Sequence, residues 1–419
     1  MMPLVGRRLG RGDTSGVAFT RVRFKCTEEM PVSTAKREES RTSPRARLLY
    51  IDNLRILLIS LVIVHHLAIA YGGPGHFSYV ENGRINTVAS ILLTLLLAIN
   101  QAFFMGMFLM VSSYFAPASF DRKGSWPYLK DRLLRLGIPL IFYIVVIDPL
   151  FSYAMARIQG YSGGLTDFLR LMLAQYDILG VGPLWFVEVL LVFSILYVVW
   201  RLVGKPLAVP VSGRGRAPGN AAIGVFALVL GLLTFLVRIW RPVGMVNFFG
   251  LQTAHLVQYT AMLVVGLVAY RRAWFKHLSR EQARLWCYAV VALVVLFFVL
   301  FIGGGALEGG TTAFMGGVRW QSLGYSVWEQ FMCMAIVVSL LVWFRTRLNR
   351  QGALPRRLSA SAYAAYIMHQ PVVALLAISL RGIRIDMGIK WLVVSPIAVA
   401  LCFLTGYILK SLPVARRIL

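Results

Sequence analysis

Ten stretches of predominantly apolar residues, each near the ~20 that cross a bilayer as one helix, govern what this 419-residue chain can fold into. They lie at roughly 54–72, 97–115, 133–153, 184–203, 221–240, 250–270, 285–302, 322–344, 360–380 and 390–411. In hydrocarbon every backbone polar group must be satisfied within its own segment, so such stretches form helices. The expected fold is all-α and polytopic, with about ten transmembrane helices. The intervals 72–97 and 153–183 read as surface loops with interfacial helices. No inverted pair of broken helices is visible.

The chain carries 43 Lys+Arg against 17 Asp+Glu, a formal net charge of +26. On a polar chain that excess would suggest nucleic acid. Here the basic residues sit between apolar runs, which excludes a nucleic-acid partner and turns the charge into a topology signal. With the N-terminus cytoplasmic, 33 fall in inner segments and 9 in outer ones, and Arg55 completes the 43. Both termini are therefore expected in the cytoplasm, with anionic membrane lipids against the inner segments. Residues 1–48 are basic, rich in Ser, Thr and Pro, and lack the apolar core of a signal peptide. They are expected as a disordered cytoplasmic tail, with residues 49–419 forming the membrane domain. Met30 opens a short polar lead-in, and residues 1–29 are expected as an upstream extension. The first span is then an uncleaved signal-anchor. Cys26, Cys287, Cys333 and Cys402 form no CxxC pair, so neither a disulfide framework nor a metal site is expected.

Ionisable groups inside spans are costly and mark functional candidates. Arg55 and His66 are eleven residues apart, which on a helix is ~16 Å of rise and within ~20° of one face. His65 faces elsewhere. A snorkelling Arg with histidines packed between helices fits that spacing as well as chemistry does. Gly106, Ser112 and Ser113 favour close helix approach. Arg132 and Arg135 are neighbours on one helix face. Paired guanidinium groups at a membrane mouth suit a phosphate-bearing ligand, and they equally suit a positive-inside stop signal on anionic lipid. Later spans add Trp185 and Glu188, then His255 and Gln258, then Trp328, Glu329 and Gln330, then Tyr363, Tyr366 and His369. A buried carboxylate such as Glu329 must face His, Arg or water. His255 reads as a core residue.

Five blocks, in order, resemble the integral-membrane acyltransferase family 3, and within it the branch of glucan succinyltransferases. They are Asp52-Asn-Leu-Arg55 with His66 after ten intervening residues, Phe103-Phe-Met-Gly-Met-Phe-Leu-Met-Val-Ser-Ser-Tyr-Phe, Arg132-Leu-Leu-Arg-Leu-Gly-Ile-Pro, Pro183-Leu-Trp-Phe, and Ser361-Ala-Tyr-Ala-Ala-Tyr-Ile-Met-His-Gln-Pro. Ser113 stands where the family commonly has Gly. The resemblance covers about residues 49–411. It implies transfer of an acyl group, acetyl or succinyl, from cytoplasmic acyl-CoA to a hydroxyl of a glycan or glycolipid, in the inner (cytoplasmic) membrane. It implies no cofactor beyond acyl-CoA as co-substrate.

On that reading neutral His66 is general base or acyl carrier, with Glu329 orienting it. Arg55, Arg132, Arg135, Trp185 and His369 bind substrate. A polytopic transporter or flippase for a glycan or lipid intermediate is the alternative. It would show a continuous polar path, whereas the ionisable groups here cluster toward one end.

Overall fold

The computed structural model describes residues 48–174, 181–204, 215–245 and 252–418. The tail expected at 1–48 lies outside the described residues apart from Leu48. Ten described helices are long and apolar enough to cross a membrane: α1 Leu49–Ala70, α2 Thr87–Lys123, α3 Ser125–Ile158, α4 Gly182–Val203, α5 Asn220–Trp240, α6 Thr253–Arg271, α7 Arg280–Gly303, α8 Trp320–Arg347, α9 Ala353–Ser379 and α10 Met387–Ser411. The described residues contain no β-strand. The protein is an all-α, multi-pass membrane protein.

The ten spans match those expected, and the differences are local. Helix α2 starts at Thr87 rather than near 97, because the Asn86 side chain accepts from the Ala89 N–H at 2.8 Å and caps it there. The interval 72–86 therefore holds a loop and no helix, whereas 153–183 does carry a short helix, Leu165–Ala174. Helix α3 contains two π-helical stretches, Leu133–Gly137 and Tyr143–Ile147, which flank Pro139 and precede Pro149. Proline cannot donate to the carbonyl four residues back. The Tyr363 hydroxyl of α9 supplies that missing donor to the Arg135 carbonyl, at 3.0 Å.

Helix α1 is the hub, packed against α2, α8, α9 and α10. Helix α6 lies against α2 so closely that a Cβ on Gly266 would meet Ser113 Oγ at 2.0 Å. That is the close approach expected of the small residues there. Helix α7 is the least covered of the ten.

At one end of the bundle, Asn53 of α1 donates to the carbonyls of Leu348 and Arg350 between α8 and α9. At the same end, Lys410 of α10 donates to the Ala360 carbonyl. Asp121 bridges Arg201 and Arg271 at 3.0 and 2.9 Å, joining the ends of α2, α4 and α6. The basic segments assigned to one side of the membrane thus gather at one end, with Arg55.

At the opposite end, Asp386 accepts from the N–H groups of Asn86, Gly388 and Ile389 and so ties α2 to α10. The Asn86 bond first, then those of Ile389 and Gly388, hold its carboxyl below the usual carboxylate range. A depressed folded-state value means the cap contributes at every pH above that range and is lost as pH falls through the lowered value. Asp386→Ala is expected to lower the thermal unfolding temperature in detergent equally at about pH 7 and pH 5, with the gap to wild type closing only in stronger acid.

Candidate active site

Arg55 and His66 share the face of α1 that their spacing predicts. The helix begins at Leu49 and ends at Ala70, so Arg55 lies near its start. His66 lies near its far end.

The Arg55 end opens onto a cavity of about 130 Å³, whose walls include Arg55, Ser112, Phe115, Tyr128, Arg132 and Ser194. The Arg55 guanidinium sits 5.1 Å from the Phe115 ring centroid and 3.4 Å from Asp52. That of Arg132 sits 5.2 Å from Tyr128, and its Nε is buried with no hydrogen-bond partner. Aromatic faces back both cations, and Arg132 Nε is a donor that a ligand could take up. Arg135 does not join them. Its side chain is 62% exposed and pairs with Asp131 at 3.1 Å, because the π-helical turn that starts at Leu133 widens the helix between the two arginines.

At the other end His66 is partly buried and faces three rings: Phe77 at 5.4 Å, His369 at 4.9 Å and His65 at 5.6 Å between centroids. Its Nδ1 lies 2.9 Å from the Val62 carbonyl. A carbonyl only accepts, so Nδ1 is the donor there, and Nε2 is the ring nitrogen left to meet a substrate. His369 repeats the device, with Nδ1 at the Tyr366 carbonyl and Nε2 buried without a partner. Imidazoles from α1 and α9 thus meet in one cluster, each with Nδ1 turned to its own helix. The Tyr366 hydroxyl donates to the Pro183 carbonyl, and Phe186 packs edge-on to Tyr366 at 5.8 Å, which anchors α9 to the start of α4. His65 turns away from this cluster toward Phe104 of α2, at 5.0 Å.

A family model described as an acyltransferase domain matches residues 48–409. The chain belongs to this acyltransferase family. It is an enzyme of acyl transfer. Glucans biosynthesis protein C of Escherichia coli K12 is 23% identical over 342 residues, covering 78% of this chain and 83% of that protein. The protein of the same name is 24% identical in Escherichia coli O6:K15:H31 and 23% in Shigella dysenteriae serotype 1, over the same shares of each chain. No solved structure matches the chain.

In this acyltransferase Glu329 does not pair with His66. Its oxygens lie 2.5 Å from the Arg238 guanidinium and 3.3 Å from His255 Nδ1, and both charged side chains have no exposed area. Trp185 stacks on Tyr259 at 5.2 Å and 19°, and Tyr259 in turn lies 5.9 Å from His255. Trp185 thus belongs to an aromatic row that leads from the Glu329 cluster to Phe186. Arg238 is not among the residues that spacing singles out. It stands two residues from the end of α5, and its partner comes from α8, far along the chain. An arginine still inside an apolar run was the available signal.

Proposed function

We propose that the protein transfers an acyl group from cytoplasmic acyl-CoA to a hydroxyl of a glycan or glycolipid across the inner membrane. The observation that carries this reading is the polarity of α1. One end offers two aromatic-backed guanidinium groups around a cavity, and the other presents the His66 imidazole, its Nδ1 tied to its own helix, on the same face, ~16 Å away. The first fits the phosphates of the donor, held by charge-assisted bonds. The second fits the place where an extended thioester arm would end. The basic end faces the cytoplasm by the positive-inside rule. A glycan acceptor is supported by the name of the relatives, glucans biosynthesis protein C.

His66 Nε2 takes the proton of the acceptor hydroxyl as its oxygen attacks the thioester carbonyl. The C–S bond breaks, and the sulfur leaves as the CoA thiol with that proton. In the two-step variant Nε2 itself attacks the thioester carbonyl and the C–S bond breaks to release CoA thiolate; the acceptor oxygen then attacks the acyl group, the N–acyl bond breaks, and the hydroxyl proton leaves with the CoA sulfur as thiol. Quenching the reaction without acceptor separates the two routes, since only the second leaves an acyl group on His66.

Arg55→Ala is expected to raise the donor KM by about 10- to 100-fold, equivalent to the ~1.5–3 kcal/mol of a hydrogen bond to a charged group. The acceptor KM should stay unchanged. Steady-state transfer of labelled acetyl- or succinyl-CoA measures both, and an unaltered donor KM would make Arg55 a structural residue.

A further inference from the structure

Around His66 and His369, four elements converge on one side chain, Gln370. Its amide nitrogen donates to Ser78 Oγ in the loop between α1 and α2. Its Oε1 accepts from the Tyr143 hydroxyl of α3 at 2.8 Å. At the start of α4, Gly182 has φ +47°, and a Cβ there would meet Gln370 Oε1 at 2.9 Å and the Tyr143 hydroxyl at 3.4 Å. Glycine is what lets the chain turn against that hydrogen bond without a clash.

The loop is fastened independently. Glu81 and Lys390 form a buried pair at 2.6 Å, and the Glu81 N–H donates to the Ala70 carbonyl at 2.8 Å. Phe77, next to Ser78, covers His66 at 5.4 Å. Proton transfer at Nε2 needs none of this. Ser78 accepts from Gln370 and keeps its own O–H to donate, and among the described residues that hydrogen has no acceptor.

We propose that the Ser78–Gln370–Tyr143 chain sets acceptor selectivity. Gln370 is a positioning residue that holds the loop so that Ser78 donates to an oxygen of a polyhydroxylated acceptor beside His66. The proposal rests on the acyl-transfer reading above, in which the donor arrives from the Arg55 end and leaves this end to the acceptor. A site built to hydrogen-bond a hydroxyl discriminates against molecules that lack it.

The test uses the full-length protein in proteoliposomes with a short glucan oligosaccharide as acceptor probe. Ser78→Ala and Gln370→Leu should each raise the acceptor KM about tenfold, as expected for a lost hydrogen bond, with the donor KM within about twofold. The double variant should be no worse than the worse single one, and Ser78→Thr should restore wild-type behaviour. In parallel, carbethoxylation of His66 by diethyl pyrocarbonate is followed by mass spectrometry, with the exposed His277 as reference. It should run several-fold faster in Gln370→Leu. An unmoved acceptor KM, a donor KM that moves in step with it, or unchanged His66 modification overturns the proposal. If wild type transfers no acyl group, the acyl-transfer reading falls instead, and the carbethoxylation rates alone decide whether Gln370 fixes the loop over His66.

Discussion

Replacing His66 by alanine is expected to remove acyl transfer by about 10²- to 10⁴-fold, the contribution of a positioned general base, and more if the ring carries the acyl group. The fold should survive. The ring touches Phe77, His369 and His65, its one hydrogen bond runs to its own helix, and the residue is only partly buried. Yield and thermal unfolding in detergent close to wild type would accompany the loss of activity. Normal transfer at matched expression would remove His66 from the chemistry and leave it as packing between α1 and α9.

The second large effect falls on stability. Breaking the fully buried Arg238–Glu329 pair by Arg238→Met or Glu329→Gln should cost about 3–5 kcal/mol, because either change strands the other charge inside the bundle. Both variants should then give little folded protein after detergent extraction. The double variant Arg238→Met/Glu329→Leu should recover much of the loss, since no uncompensated charge remains. A different result would reassign Glu329. If Glu329→Gln folds and unfolds like wild type but transfers no acyl group, the carboxylate acts in catalysis as its place inside a span first suggested. The geometry favours the structural role, with His255 and Arg238 already facing both oxygens.

The helices themselves were legible because a bilayer demands long apolar runs, and Arg55 and His66 were legible as a pair because helical periodicity is local. The ends of runs were less so. Asn86 is an ordinary polar residue until its side chain caps α2, and that cap moved the start of the helix well into an interval read as loop. Arg132 and Arg135 are neighbours on a regular helix. Pro139 and the π-helical turn before it separate them, and periodicity does not register such a turn. Arg238, Lys390 and Gln370 were hard to read for another reason. Their meaning lies in partners from distant helices, Glu329, Glu81 and Tyr143, and each looks like a loop charge or a common amide until the bundle closes.

The most direct test of the central claim is transfer by the purified protein in sealed proteoliposomes, with labelled acetyl- or succinyl-CoA on the face that carries Arg55 and a glucan oligosaccharide on the other. The predicted result is label on the oligosaccharide as an alkali-labile ester with release of the CoA thiol. Both signals should vanish in His66→Ala, and they should weaken in Arg55→Ala until donor is raised. An intact thioester with folded wild-type protein for both acyl groups, or equal transfer by His66→Ala, would contradict it.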